Sequence, residues 1–159
     1  MKKPALRAAI LQQLREDLAL QTAAAALARD EATSEESRAQ NKWDTHSQEA
    51  AYLAEGQAKF AAEIEVSLEA YAALPLPDLG PGDPIVLGAL VELDAGDKSA
   101  WYFLGPRAGG LELTVDGRDV LVLTSQSPLG QQLIGKRVGD TVRPAGRGSA
   151  AAQRIVSVA

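Results

Sequence analysis

Few side chains in this sequence could do chemistry, and the most suggestive lie in a short stretch between two helical patterns. The chain has no cysteine, which excludes disulfides, thiolate zinc sites and cysteine nucleophiles. Its single histidine, His46, excludes a multi-histidine metal site. Two carboxylates remain, Asp44 in this stretch and Glu49 just after it, five residues apart. A carboxylate here can cap the following helix or hold a divalent cation, and the residues alone leave both roles open.

The two flanking segments must position these side chains, and both have the period of a helix. The first is predicted from Pro4 to about Ala39. Its stripe alternates at three and four residues over Leu11, Leu14, Leu18, Gln21, Ala25 and Ala28, which is typical of a coiled-coil seam, and Leu6 and Ile10 extend it. The second is predicted from about His46 to Ala73, with Thr45 and Gln48 as a capping box and a stripe of Leu53, Phe60, Ile64, Leu68 and Tyr71. We therefore predict an antiparallel coiled-coil hairpin over residues 1–73, narrow where alanines face each other.

After a linker rich in proline and glycine at residues 74–84, the apolar period changes to two. Strands are predicted at Ile85–Leu93, Ala100–Leu104, Leu111–Val115, Asp119–Thr124, around Val142, and at Ala152–Val158. Asp116-Gly117 is a hairpin signal, and Ser127-Pro128 predicts the cap and first residue of a short helix over Leu129–Ile134. The fold class is thus α+β, with an antiparallel sheet and one short helix over residues 85–159.

Composition and charge exclude several classes of protein. Apolar residues make up 46% of the chain and charged residues 23%, as in a folded soluble protein. The net charge of −5 argues against a general nucleic-acid binder, and residues 1–77 carry 8 basic and 12 acidic residues, a balance of −4. Polar residues, among them Arg7 and Arg15, interrupt the first apolar stretch, so no secretory signal forms. We expect a cytoplasmic protein that has no contact with membrane and no sequence-specific contact with DNA.

One motif is specific enough to indicate a family. Residues 123–142, LTSQSPLGQQLIGKRVGDTV, resemble the C-terminal signature of the Gre (GreA/GreB) family of transcription elongation factors. The matching positions are Thr124, Ser127, Pro128, Leu129, Leu133, Gly135, Lys136, Gly139, Asp140 and Val142. Residues 85–91 and Leu104-Gly105 extend the resemblance, which covers residues 85–158.

The resemblance implies a fold, a partner and a set of contact residues. In the Gre family the C-terminal domain is FKBP-like and docks on the rim of the secondary channel of RNA polymerase, while a coiled-coil hairpin enters the channel. Carried onto this sequence, the docking residues are Thr124, Gln126, Ser127 and Pro128, although helix capping alone would also explain the Ser127-Pro128 pair. Trp43, a large aromatic side chain at the predicted turn, either packs back on the hairpin or meets a partner, and we expect it to contact the polymerase channel.

The hairpin tip departs from the family pattern. Gre factors that stimulate transcript cleavage carry two acids in a D-x-x-E spacing, which hold a second Mg²⁺ in the active site of the polymerase. Counted back from Tyr52, those acids fall on Thr45 and Gln48. Asp44 and Glu49 are the carboxylates that could share Mg²⁺ with the polymerase here. The resemblance therefore implies a divergent member, with no enzymatic activity or stable cofactor of its own, that occupies the channel with little or no cleavage.

Two functions from other classes compete with this hypothesis. An FKBP-like domain could be a peptidyl-prolyl isomerase, but after the linker the aromatic residues are three consecutive ones, Trp101, Tyr102 and Phe103, whose side chains alternate between strand faces. The hairpin could instead serve as a dimerisation module. We expect a monomer, because Phe60, Ile64 and Leu68 are predicted to have partners within the hairpin.

Overall fold

The structure is a computed structural model that describes residues 1–33, 46–145 and 151–159, without the side chains of residues 32, 46 and 47. Its elements are α1 (Lys3–Thr33), α2 (His46–Ala73), β1 (Leu90–Asp94), β2 (Ser99–Leu104), β3 (Glu112–Val115), β4 (Arg118–Leu123), α3 (Pro128–Leu133), β5 (Thr141–Val142) and β6 (Gln153–Val158). The predicted α+β class, a helical hairpin followed by a sheet with one short helix, is confirmed. Among the described residues, no helix is long and apolar enough to cross a membrane.

Contacts divide the chain into two units, residues 12–69 and residues 1–11 together with 70–159. We call the first unit the helical arm and the second the sheet unit. Both ends of the hairpin group with the sheet because their apolar side chains, Leu6, Ile10, Tyr71 and Leu74, are almost completely buried. The predicted division into a hairpin over residues 1–73, a linker over 74–84 and a second domain over 85–159 stays a prediction.

The helical arm is built around a seam of small side chains. Leu14, Ala25 and Ala28 of α1 are buried, as are Ala50 and Ala54 of α2. The α1 stripe agrees with its prediction. The α2 stripe is wrong at two positions, because Leu53 and Phe60 are 55% and 64% exposed. Alanines at 50 and 54 take the seam instead, since their small side chains permit close approach of the two helices.

One sheet holds all six strands of the described residues, in the order β3-β4-β2-β1-β6-β5. Its pairings are antiparallel except that of β2 with β4, which is parallel. A wholly antiparallel sheet was predicted, and this pairing differs because β4 returns beside β2 after its hairpin with β3. The sheet is therefore mixed.

Residues 85–89 were predicted as strand but precede β1. Gly88 has φ of +85°, which ends extended backbone, and a Cβ there would lie 2.3 Å from the carbonyl oxygen of Pro75. Ile85 pairs instead with the segment after α3: its N–H donates to the carbonyl of Lys136, and its carbonyl accepts from Gly135 N–H, both at 2.8 Å. This pairing fixes the end of the linker beside the segment that follows α3.

The sheet unit is packed on both faces of its sheet. On one face, α3 covers a core that includes Leu93, Leu104, Leu123, Leu133 and Ile155. Phe103 lies on the opposite face, since neighbours in a strand alternate, and is fully buried. Tyr71 packs against this region, because a Cβ on Gly105 would meet both the Tyr71 ring and Cγ1 of Val122.

Candidate functional site

The predicted docking residues form one turn between β4 and α3. Ser127 caps α3 in extended backbone geometry, with φ −68° and ψ 150°. Its Oγ accepts the Gly130 N–H at 3.1 Å and donates to the carbonyl of Thr124 at 2.8 Å. Pro128 occupies the first helical turn, where a missing N–H costs nothing. We call residues 124–128 the capping turn; the sequence predicted both its cap and its proline.

The outer side chains of the capping turn are open to solvent. Gln126 and Pro128 are exposed, whereas Thr124 and Ser127 are half-buried. The carbonyl of Gln126 accepts from Gln131 Nε2 at 3.3 Å, which ties the turn to the next turn of α3. Thr124, Gln126, Ser127 and Pro128 thus lie together on an ordered turn, with an amide and a pyrrolidine ring available to a partner.

The remaining signature residues shape the backbone around the capping turn. Gly135 and Gly139 have φ of +83° and +94°, values that glycine adopts without strain. Asp140 Oδ2 accepts the Arg137 N–H at 2.8 Å and closes the following turn. Local geometry therefore accounts for these residues, and the solvent-exposed part of the motif is left as the candidate contact surface.

The predicted tip residues are only partly described. Trp43, Asp44 and Thr45 lie outside the described residues, so neither the Asp44–Glu49 pair nor the capping box can be given a geometry. Glu49 lies exposed in the first turn of α2, where a carboxylate interacts favourably with the helix dipole. Gln48 Nε2 donates to Tyr52 Oη at 3.2 Å. Over the described ranges, no three His, Cys, Asp or Glu residues are grouped closely enough to hold a metal ion.

Sequence reasoning missed an exposed apolar surface on the helical arm. Leu20 and Leu27 are 70% and 71% exposed, and Leu53 and Phe60 are exposed as well. The sequence contains a signal for this surface, since the two members of each pair, Leu20 with Leu27 and Leu53 with Phe60, are seven positions apart. The arm is also acidic: its described residues carry nine carboxylates and three basic side chains, a formal net charge of −6.

Two of the three consecutive aromatics, Trp101 and Tyr102, line the same cleft, and Phe103 does not. Phe103 is buried, while Trp101 is half-buried with the Arg118 guanidinium 5.0 Å from its ring centre. Tyr102 lies on the other face, and burial raises its pKa. Trp101 and Tyr102 line an open cleft of about 560 Å³ between β2, β3 and β4, together with Glu112, Thr114, Asp119 and Leu121. Thr114 Oγ1 donates to Asp119 Oδ1 at 2.7 Å within it.

Comparison with solved structures finds several matches, among them three structures of the factor Gfh1, each of low similarity to this chain. GreA factor homolog 1 (Gfh1) of Thermus thermophilus is 19% identical, with a TM-score of 0.38, and the match covers 96% of this chain and 94% of that one. Gfh1 of Thermus aquaticus is 21% identical, with a TM-score of 0.41 and coverage of 93% and 88%. A further structure of the transcription factor Gfh1 is 20% identical, with a TM-score of 0.41 and coverage of 97% and 93%. No protein-family model and no curated protein matches the chain.

Proposed function

We propose that this protein is a Gre-type transcription regulator that binds RNA polymerase, with the capping turn at the rim of the secondary channel and the helical arm inside it. The observation that carries the proposal is the capping turn. It brings Thr124, Gln126, Ser127 and Pro128 onto one ordered, partly exposed loop, within a motif that resembles the Gre signature. A two-helix arm, independent of that motif, supplies the second required part.

Within this proposal, the protein acts by occupying the channel, without catalysis of its own and without a stably bound cofactor. Asp44 and Glu49 are the tip carboxylates that could share Mg²⁺ with the polymerase, and carboxylate oxygens suit that ion. Their separation of five residues departs from the three-residue spacing of cleavage-stimulating factors. We propose a monomer in the cytoplasm, whose arm excludes other channel ligands.

Binding through the capping turn predicts a loss of affinity when its exposed side chains are removed. We expect the double variant Gln126→Ala, Pro128→Ala to bind core RNA polymerase at least about tenfold more weakly, because contact residues of this kind contribute 1 kcal/mol or more. Fluorescence anisotropy of labelled full-length protein measures the affinity. The matched control is the double variant Asp97→Ala, Lys98→Ala, which changes two exposed residues of the β1–β2 turn. Equal affinities for all three proteins would exclude the capping turn as the docking surface.

The proposed mode of action predicts occupancy of the channel without transcript cleavage. In backtracked elongation complexes with Mg²⁺, we expect the wild type to stimulate RNA cleavage little or not at all and to compete with a known channel-binding factor. Asp44→Ala should leave this competition unchanged, and Glu49→Ala should weaken it only slightly, since a single exposed carboxylate contributes little to binding. Cleavage that is stimulated by the wild type and abolished by both substitutions would instead establish a cleavage factor. Acceleration of prolyl isomerisation in a peptide, without polymerase binding, would favour the isomerase alternative.

A further inference from the structure

Among the large apolar side chains that the described part of the helical arm exposes, four form two pairs. Leu20 and Leu27 lie on α1, and Leu53 and Phe60 on α2, each pair separated by seven residues. Their exposed fractions run from 55% to 71%. Two turns of helix separate the members of a pair, so each pair forms a line along one side of its helix. We call these four residues the apolar ridge.

The apolar ridge lies on one side of the arm. The buried seam residues occupy heptad positions a and d; they include Ala25, Ala28, Ala50 and Ala54. In this heptad register, Leu20 and Leu27 of α1 occupy position c. Leu53 and Phe60 of α2 occupy position g. Positions c and g are neighbours on a helix surface, and in an antiparallel pair the two g positions face the same side. The opposite side has shallow grooves, lined by Thr22, Ala25, Ala26, Arg29, Thr33, Ala51, Ala54, Glu55, Ala58, Ala61, Ala62 and Glu65. None of the four ridge residues lines them.

The two helices contribute to the ridge at the same height. The groove on the opposite side places Ala25 and Ala26 of α1 beside Ala58 and Ala62 of α2. Leu27 follows Ala26, and Phe60 lies between Ala58 and Ala62, so these two residues lie at the same level along the arm. They form the centre of the ridge.

Carboxylates lie beside every residue of the ridge, whereas Lys59, the residue before Phe60, is paired with Glu55 at 3.7 Å. Every ridge residue has an acid three or four positions away on the same helix face, and none has a lysine or arginine there. These acids are Glu16, Asp17, Asp30, Glu31, Glu49 and Glu63. The three basic residues of the described arm lie elsewhere, two of them, Arg15 and Arg29, at e positions on the groove side. An apolar centre with an acidic rim is complementary to an apolar surface flanked by lysine and arginine.

Charge also distinguishes between possible occupants of the ridge. A second copy of the chain would bring together two arms that each carry a net charge of −6 in their described residues, and like charges oppose that association. We propose that the apolar ridge binds a basic, apolar wall of the RNA polymerase channel, an inference that rests on the proposed function. Leu27 and Phe60 anchor the contact, and the surrounding carboxylates orient the arm and speed its entry.

Full-length protein and purified core RNA polymerase test this assignment. We expect Leu27→Ser with Phe60→Ser to weaken binding at least about tenfold, as the loss of two central apolar contacts should. Val66→Ser is the matched control, because Val66 is also exposed on α2 and lies outside the ridge. Binding by the wild type should weaken as salt is raised, since the rim contacts are ionic. Circular dichroism should show unchanged helix content in every variant.

The outcomes separate the ridge from the proposed function. Failure of the wild type to bind polymerase would overturn both. Binding by the wild type, with an equal affinity for the ridge variant, would overturn the ridge and leave the function standing. Sedimentation provides an independent check, because a wild-type dimer that the ridge variant converts to a monomer would show that a second copy occupies the ridge.

Discussion

Tyr71→Ala is expected to destabilise the sheet unit by about 4 kcal/mol, within the range for removing a large buried aromatic side chain. The Tyr71 side chain is fully buried, and its Oη donates to the carbonyl of Arg107 at 2.7 Å. Gly105 leaves room for the ring, since a Cβ there would lie 2.0 Å from Oη. Urea unfolding followed by Trp101 fluorescence, in a Trp43→Phe background, measures the loss. A loss below about 1 kcal/mol would show that the ring is not part of this core.

The matched variant, Tyr71→Phe, separates the ring from its hydroxyl. We expect a loss of about 1 kcal/mol at neutral pH, the usual contribution of one hydrogen bond. Burial raises the pKa of Tyr71, so the folded protein keeps the phenol neutral at a pH where the unfolded chain ionises it. The contribution of Tyr71 to the free energy of unfolding is therefore complete below about pH 10. Above that pH it decreases, by up to about 1.4 kcal/mol per pH unit. Tyr71→Phe should reduce that decrease, leaving the smaller contribution of Tyr102.

Elements with strong local signals were predicted closely from the sequence. The interval from His46 to Ala73 agrees with α2 at both ends. Ser127 and Pro128 predicted the start of α3, and Asp116-Gly117 predicted the β3–β4 hairpin. Each signal depends on residues a few positions apart, so the chain segment itself carries the information.

The features that were missed depend on contacts between distant segments. Leu53 and Phe60 continue the period of Ile64 and Leu68, but alanines one or a few positions away pack closer in the hairpin and take the seam. The parallel pairing of β2 with β4 follows from the course of residues 105–111, which no strand pattern encodes. Tyr71 and Gly105 also meet only in the folded chain. Of the candidate site, the capping turn was predictable, whereas Trp43 and Asp44 stay predictions.

The glycine beneath the capping turn, Gly130, has no room for a side chain. Gly130 lies in α3 and is buried, and a Cβ there would lie 1.9 Å from the carbonyl oxygen of Thr124 and 2.7 Å from Ser127 Oγ. Two hydrogen bonds fix the positions of both atoms, because the Ser127 hydroxyl donates to the Thr124 carbonyl and accepts the Gly130 N–H. Alanine would therefore have to displace a backbone carbonyl and the cap together. Its higher helix propensity, about 1 kcal/mol over glycine, is too small to offset this.

Gly130→Ala is accordingly expected to destabilise the sheet unit by about 3 kcal/mol and to weaken polymerase binding with it, since the same atoms hold the candidate docking residues. Gly56→Ala is the matched control, a helical glycine whose added Cβ would meet nothing within 4 Å. That variant should stabilise the arm by roughly 0.5–1 kcal/mol through helix propensity. Thermal unfolding followed by circular dichroism compares the two, and the same exchange should change stability in opposite directions. If Gly130→Ala is as stable as the wild type and binds polymerase equally well, the close packing of α3 on Thr124 does not hold the capping turn in place.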